Sequence, residues 1–556
     1  MTGEPSSASP GPLDDRRATI EDLAATEFDI VIVGGGIVGC GALLDATSRG
    51  LKAALVEQDD IASGTSGRSS RLIHGGLRYL EQLHFGLVAE ALDERSRMLR
   101  LAPHLVRLEP FLFPIFGWPL VHQVFYGAGL LLYDLLGARR EGGFARHLRP
   151  SGTRARTPSV RRRGLQGGIV YHDGVEDDAR YTLAVLRTAL ARGARAVTRA
   201  RVTGLIEADG RVGGVVVRDL LDDRTFEVRA QHVVDATGVW SAYPNGPLTG
   251  DGAAGILPSQ GAHLVVRRDR IPSRQGVSLR VPGKVVFVIP WPDHWLIGTT
   301  DHAFDGAPER PHASGAEVDE ILATVNEYFD VDLRRQDVLG TYAGLRPLVA
   351  PEGTASTVKA SREHKVRREP NGLVRVGGGK YTTYRIMARD TIDAALGHDA
   401  ARARPSGTAD LLLVGAADRP GLDRVADALA DRHGLTPDIA AALVDRHGTE
   451  ASEVLELGQE RDLNRRLGPE IRQLEAEVAW AVRRELALSL DDILSRRMRL
   501  SMVLRDRGAS IAPRVAEIAG RDLGWDAQHR RVAVDAYLAG AHAEYDVPAS
   551  AGGSAG

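Results

Sequence analysis

Apolar residues along this chain fall into short runs of strand length and longer stretches of helical period, and the first pairing of the two is the most informative. Asp29–Val33 is an almost uninterrupted apolar run, as a buried parallel strand requires. It stops at Gly34-Gly35-Gly36-Ile37-Val38-Gly39, and a second apolar run, 52–56, ends in Glu57, 18 residues past Gly39. Residues 58–79 alternate hydroxyls and glycines without a clean period, which suits a loop wrapped around a polar ligand. A helical period returns over 83–105, with Leu87, Ala91, Met98 and Leu101 on one side. A helix is predicted over 176–193, strands at about 196–202, 212–220 and 225–230, then an apolar strand running into Asp235-Ala236-Thr237-Gly238. Residues 260–300 are strand-rich, at 262–266, 285–289 and 295–299, and predict a mostly antiparallel sheet. Residues 373–389 return to strand, glycine turn and helix. After a linker at 397–408, residues 409–545 are helical throughout and read as a separate all-α domain, while 1–27 and 546–556 read as disordered tails.

The 34–39 stretch is G-x-G-x-x-G in its full setting of strand, helix, strand and terminal acid, the arrangement that binds a dinucleotide. Gly34 permits the tight turn, Gly36 lets a pyrophosphate approach the backbone, and Gly39 lets the helix pack close with its N–H groups aimed at phosphate. Glu57 is placed to accept from the adenosine ribose. A strand ending in Ala-Thr-Gly about 200 residues downstream is a second backbone approach of the kind FAD-binding proteins use, and it moves the expected cofactor from NAD to FAD. The fold class is therefore α/β: a Rossmann-type FAD-binding domain with an antiparallel-sheet substrate domain, plus an all-α C-terminal domain. Within 28–396, segments 28–110, 165–260 and 340–396 are assigned to FAD and 111–164 and 261–339 to the substrate side.

The 556 residues suffice for two to four domains, and a net charge of −3 gives no reason to expect nucleic acid. The only cysteine, Cys40, lies in the first helix, so no intramolecular disulfide forms and a reducing compartment is expected. No metal site is expected. The basic residues are nearly all Arg; the five lysines are Lys52, Lys284, Lys359, Lys365 and Lys380, and each earns separate notice because an ammonium and a guanidinium differ chemically. The longest uncharged stretch, 111–133, is broken by Pro114, Gly117, Pro119, His122 and Gln123, which argues against a spanning helix. It reads as a loop followed by a buried helix, or as a surface that dips into one leaflet.

Several motifs in order resemble the bacterial FAD-dependent glycerol-3-phosphate dehydrogenases of the D-amino-acid-oxidase-like flavoprotein group, from about Phe28 to about Glu544. The most specific is Ser69-Ser70-Arg71-Leu72-Ile73-His74-Gly75-Gly76-Leu77-Arg78-Tyr79-Leu80-Glu81. Gln260-Gly261-Ala262-His263-Leu264, Ile297-Gly298-Thr299-Thr300-Asp301, Gly340-Thr341-Tyr342-Ala343-Gly344-Leu345-Arg346-Pro347 and Gly377-Gly378-Gly379-Lys380-Tyr381-Thr382-Thr383 follow. The helical tail, with 478–485 and 491–497, is similar to that family's C-terminal domain. Gly67 stands where the pattern has Ser, Asp235 where it has Asn, and 241–258 matches poorly.

The resemblance implies oxidation of sn-glycerol 3-phosphate to dihydroxyacetone phosphate, with electrons passed to a quinone, menaquinone or ubiquinone. It implies a homodimer in the cytoplasm, touching the inner face of the cell membrane peripherally. A phosphate-bearing substrate wants Arg forks and a Lys point charge. The resemblance implies Arg78, Tyr79, Thr300, Arg346, Arg362 and Lys380 as those contacts, with His263, Arg346 and Lys380 in the chemistry. For His263, an imidazole titrating near neutrality is the expected base, on the face of its strand opposite Ala262 and Leu264. Around the cofactor it implies Gly34, Gly35, Gly36, Ile37, Gly39 and Glu57, then Thr65, Ser66, Ser70, His74 and Gly75. It adds Ala236, Thr237 and Gly238, and finally Gly379 and Thr382. The helix after Lys380 points its positive N-terminus toward the flavin. Three rivals stay open: an oxidase that uses oxygen, an amino-acid oxidase of the wider group, and a non-catalytic flavin-bound module.

Overall fold

In the computed structural model, which describes residues 12–75, 85–117, 145–243, 248, 256–282, 284–349 and 363–550, the first apolar run is the strand Glu27–Val33. It lies between the strands Ala53–Val56 and Thr225–Asp235, parallel to both. Arg195–Val197 extends the sheet past Ala53–Val56, and Val374–Gly378 extends it past Thr225–Asp235, again in parallel. Antiparallel neighbours complete eight strands among the described residues. The helices Ile37–Ser48 and Tyr384–Leu396 cover one face and share a core with Ile30, Ile32, Leu43, Leu55 and Ile392. The expected strand at 196–202 is two strands, Arg195–Val197 and Ala200–Ala208, because Arg199 between them has positive φ.

A second sheet of ten described strands forms the substrate side. At its centre Ile256–Arg267 pairs with Val338–Val349, and on its other edge Ile256–Arg267 pairs with His294–Gly298, all antiparallel. Within Ile256–Arg267, Ala262, Leu264 and Val266 enter one hydrophobic cluster and Val265 another, so strand alternation sends His263 to the face away from Ala262 and Leu264, as expected.

Several expectations are corrected. Residues 12–25 form a helix, Pro12–Ala25, where a disordered tail was expected. Its composition is too polar to advertise a core, but Ile20 and Leu23 pack under the first sheet, and Arg16 bridges to Asp219 and the Thr198 carbonyl. Tertiary docking supplies what local pattern did not. Phe111–Phe116 is neither loop nor membrane surface: it ends the strand Val106–Phe116, paired with Leu165–Glu176, and Phe111 and Phe113 are fully enclosed. Residues 118–144, the rest of that apolar stretch, lie outside the described residues. The 397–408 linker is partly ordered: it begins with a short helix, His398–Ala403, and touches the first domain, with Gly407 N–H donating to Ser48 Oγ at 3.1 Å and Thr408 buried.

The C-terminal region is helical as expected, with helices Arg419–His433, Pro437–His447, Ala451–Arg461, Glu475–Arg484, Ala512–Leu523 and Ala527–Tyr545. Local signals set their ends: Asp418 and Asp526 accept first-turn N–H groups, and Gly434 and Gly524 close helices in the left-handed conformation. Its contact with the first domain is charged and buried. Arg496 and Arg497 donate to Asp60 at 2.5 to 2.8 Å, Arg499 reaches Asp177, Asp178 and the Gly67 carbonyl, and Glu544 pairs with Arg68 at 2.8 Å.

Asp60→Ala removes the carboxylate that two enclosed guanidinium groups share and is expected to cost about 3 to 5 kcal/mol. A fall of several degrees in Tm by scanning fluorimetry checks this; Arg218→Ala, which breaks only the exposed pair with Asp223, should leave Tm in place.

Candidate flavin and substrate site

A cavity of about 380 Å³ lies between the glycine turn at 34–36 and the paired strands Ile256–Arg267 and Val338–Val349 of the second sheet, lined among others by Glu57, Ser70, His74, His263, Arg346 and Lys380. At the first end the backbone packs so closely that side chains are excluded. A Cβ on Gly39 would lie 1.9 Å from the Gly34 carbonyl oxygen, and one on Gly34, at φ +110°, would lie 2.6 Å from the Ala236 carbonyl oxygen. The 34–39 turn and the Ala236-Thr237-Gly238 turn are thus pressed together, and both line the cavity except Gly39. The helix Ile37–Ser48 opens toward it. Its first N–H, that of Ile37, donates to Ser66 Oγ at 2.9 Å. Glu57 accepts from Gly35 N–H at 2.5 Å and Asp59 N–H at 2.7 Å, one bond per carboxylate oxygen, which fixes both oxygens for a diol. Burial pushes its carboxyl up to about 7 against the pull of Gly35. A helix N-terminus in a glycine cradle with an acid at the next strand end fits the pyrophosphate and ribose of FAD.

Other residues expected at the cofactor are drawn to the same cavity. Thr65 Oγ1 donates to the Leu345 carbonyl at 2.7 Å, joining the loop to the second sheet. His74 lines the wall with its ring edge-on to Phe287, and Gly75 is buried just beyond it. Gly379, at φ +77°, sits where a Cβ would meet Met387 Sδ at 2.3 Å, and Thr382 is buried in the turn leading into the helix Tyr384–Leu396. Lys380, Tyr381 and Thr382 therefore line the cavity immediately ahead of a helix N-terminus, as expected.

At the opposite end Arg346 is held by Thr299 Oγ1 at 2.8 Å and the Thr300 carbonyl at 3.2 Å, with Asp301 at 3.4 Å. It reaches this place across Gly261, where any Cβ would fall 2.3 Å from the guanidinium. His263 is buried, stacked on Tyr342 with ring centroids 4.7 Å apart and planes at 6°, and its Nε2 is 2.8 Å from Ser70 Oγ. Its titration is corrected: burial, aided by Arg346 and Arg71, pushes the imidazole down to about 3 instead of leaving it near neutrality. It is accordingly an uncharged ring at physiological pH. Thr300 is corrected as well. Its hydroxyl accepts from Ala262 N–H at 2.8 Å and donates to Glu317 at 2.7 Å, so its proton is committed to the second sheet's framework and not to a substrate. Arg78, Tyr79 and Arg362 lie outside the described residues. Sequence reasoning passed over Tyr342, the Ser70–His263 contact and Lys284, which also lines the cavity and pairs with Glu320. Only Lys284 carried a signal, its rarity.

Residues 29–394 match the family described as FAD dependent oxidoreductase, and 406–530 match the C-terminal domain of alpha-glycerophosphate oxidase. The glycerol-3-phosphate dehydrogenase of Mycobacterium leprae is 44% identical over 533 residues, covering 95% of this chain and 90% of that protein. The chain belongs to the FAD-dependent glycerol-3-phosphate dehydrogenase family. The human mitochondrial glycerol-3-phosphate dehydrogenase is 36% identical over 94% of this chain and 74% of its own length. Among solved structures, the glycerol-3-phosphate dehydrogenase from Bacillus halodurans complexed with FAD superposes with a TM-score of 0.78 at 28% identity, over 96% of this chain and 98% of that one. Glycine oxidase from Geobacillus kaustophilus shares the fold at a TM-score of 0.51. The cofactor of this family member is FAD, and the α/β fold with its helical C-terminal domain is the family's.

Cys40, the only cysteine, is fully buried, with burial pushing its thiol far above the usual range, so it offers no thiolate for a covalent link. The purified protein should be yellow, and acid precipitation should leave a colourless pellet with FAD in the supernatant; colour retained in the pellet would show covalent attachment.

Proposed function

We propose that this chain oxidises sn-glycerol 3-phosphate to dihydroxyacetone phosphate and passes the electrons to a quinone. The observation that carries the reading is a single cavity lined by Arg346, Lys380 and an uncharged, buried His263. The names of the relatives that span nearly the whole chain agree with it. A guanidinium clamped in orientation by Thr299 and the Thr300 carbonyl, together with an ammonium, provides charge-assisted bonds to a phosphate. Bound FAD would supply a two-electron acceptor, held by 34–39, Glu57, 236–238 and the backbone at 379–382. His263, uncharged, would take up the proton released from the substrate hydroxyl. The amino-acid oxidase reading is weaker, because a carboxylate asks for one bidentate Arg and not for an added lysine.

A quinone acceptor requires a meeting with the lipid surface, and we place the enzyme in the cytoplasm as a peripheral homodimer on the inner face of the membrane. Among the described residues no helix is long and apolar enough to cross a bilayer. With Phe111–Phe116 enclosed in a sheet, that segment no longer supplies the apolar surface first expected of it.

Anaerobic addition of glycerol 3-phosphate should bleach the flavin, while an amino acid should not; the reverse result would transfer the enzyme to the amino-acid oxidases. Reoxidation should be fast with a quinone analogue and slow with oxygen in stopped flow, and the opposite order would make it an oxidase. Lys380→Ala and Arg346→Ala should each lose a bond worth about 1.5 to 3 kcal/mol, roughly tenfold to a hundredfold in kcat/KM, with FAD content unchanged. Lys380→Arg should also be poor, since a planar fork does not replace a compact ammonium. Wild-type kinetics in that variant would remove the lysine from the site.

A further inference from the structure

We infer that Ser70 is the proton relay between the substrate hydroxyl and His263, an inference that rests on the dehydrogenase reading above. The argument is one of access. His263 borders the cavity, but its flanks are covered: Tyr342 stacks on the ring, and Gly298 lies so close that a Cβ there would stand 2.4 Å from Cδ2. Its Nδ1 is enclosed by the protein and has no hydrogen-bond partner among the described residues, so it does not open to the cavity. That leaves Nε2, and Nε2 is 2.8 Å from the Ser70 hydroxyl. Ser70 lines the cavity and is only half-buried, so its oxygen has one side to the imidazole and one to the ligand space. The hydroxyl is not needed for the local turn, because Ser69 Oγ already accepts the Arg71 N–H at 2.9 Å.

The step balances without any further reactant. The substrate O–H breaks and its proton goes to Ser70 Oγ; the Ser70 proton passes to Nε2 of the uncharged ring. Bound FAD would supply the two-electron acceptor for the hydride of the C–H bond, the alcohol carbon becoming a ketone. His263 ends protonated and Ser70 ends as it began. Tyr342 acts here as a positioning residue: its hydroxyl donates to the Ser69 carbonyl at 3.1 Å, tying the ring that supports His263 to the segment that carries Ser70.

Anaerobic stopped-flow bleaching by glycerol 3-phosphate, with FAD content measured, would be compared for wild type, Ser70→Ala, Ser70→Thr, His263→Gln and the double variant. A separate readout is the His263 Nε2 resonance in protein labelled with ¹⁵N-histidine. Ser70→Ala should slow bleaching by about 10²- to 10³-fold, the scale of a positioned proton transfer, with full FAD content. Ser70→Thr should recover most of the rate, and the double variant should be little slower than His263→Gln, because the two groups act in series. The Nε2 resonance should move in Ser70→Ala and not in Ser70→Thr. A Ser70→Ala rate near wild type beside a slow His263→Gln would overturn the relay, as would multiplied losses in the double variant, loss of FAD from Ser70→Ala, or an unmoved resonance. Wild-type protein that glycerol 3-phosphate fails to bleach would instead overturn the substrate reading, and the resonance alone would then decide the relay.

Discussion

Asp60 accepts from both Arg496 and Arg497 at 2.5 to 2.8 Å with all three side chains nearly out of solvent. Removing one carboxylate and two guanidinium groups from water is expensive, and only close, multiple hydrogen bonds offset it. Here the cost is met by a network, since Arg496 also bonds Asp491 and Asp492, and Asp492 in turn holds Arg199. The rest of the site depends on this contact because of where Asp60 lies. It is three residues past Glu57, at the start of the loop whose residues 63–66 and 68–70 wall the cavity. The same loop is held twice more by the helical domain, through Arg499 on the Gly67 carbonyl and Glu544 on Arg68. That domain contributes no described residue to the cavity lining, yet it fixes one wall from behind.

Two departures from the family pattern become intelligible in this light. Gly67 takes the place of a serine where the loop backbone runs against itself: a Cβ there would stand 2.3 Å from the Ala62 carbonyl oxygen. Asp235 replaces an asparagine at the end of the strand that delivers 236–238 to the cofactor. It keeps an acceptor's role toward Thr237, bonding its N–H at 3.1 Å and its hydroxyl at 2.6 Å, and the added charge is matched by Arg375 at 2.5 Å on the adjacent strand. Arg375 also donates to the Leu248 carbonyl, so the exchange ties in a loop that matched the pattern poorly.

The elements that were legible in the sequence are those whose stability is written locally. The 27–57 unit, the 233–238 turn, the strand period around His263 and the capped C-terminal helices all follow from runs, glycines and caps within a few residues. What could not be read depends on partners far along the chain. The helix Pro12–Ala25 is stable through Asp219, about 200 residues away, and Phe111–Phe116 is a strand only because 165–171 pairs with it. The hydroxyl of Thr300 looked available for a ligand until Ala262 and Glu317 were seen to take it. Tyr342 carried no signal because its function is to stack on a residue 79 positions earlier. Proton affinities were the least legible, since they report three-dimensional charge and burial and not residue type.

The low proton affinity of His263 need not weaken it as the base in the proposed reaction, because the field that lowers it is also the field that recruits the substrate. Arg346 and Arg71 disfavour the imidazolium, and burial does so most of all, which keeps the ring uncharged and ready to accept at any physiological pH. A phosphate docked against Arg346 brings negative charge to the guanidinium that disfavours the imidazolium and cancels part of that field. Opposite charge within a few ångströms raises a buried base's affinity for protons, and more strongly where water is excluded. On the proposed reading His263 therefore strengthens as a base when the phosphate of its substrate is in place, and an alcohol without that phosphate would leave the Arg346 field on His263 uncancelled. Selectivity and proton transfer then share one electrostatic origin: the group that anchors the substrate also conditions the residue that receives its proton.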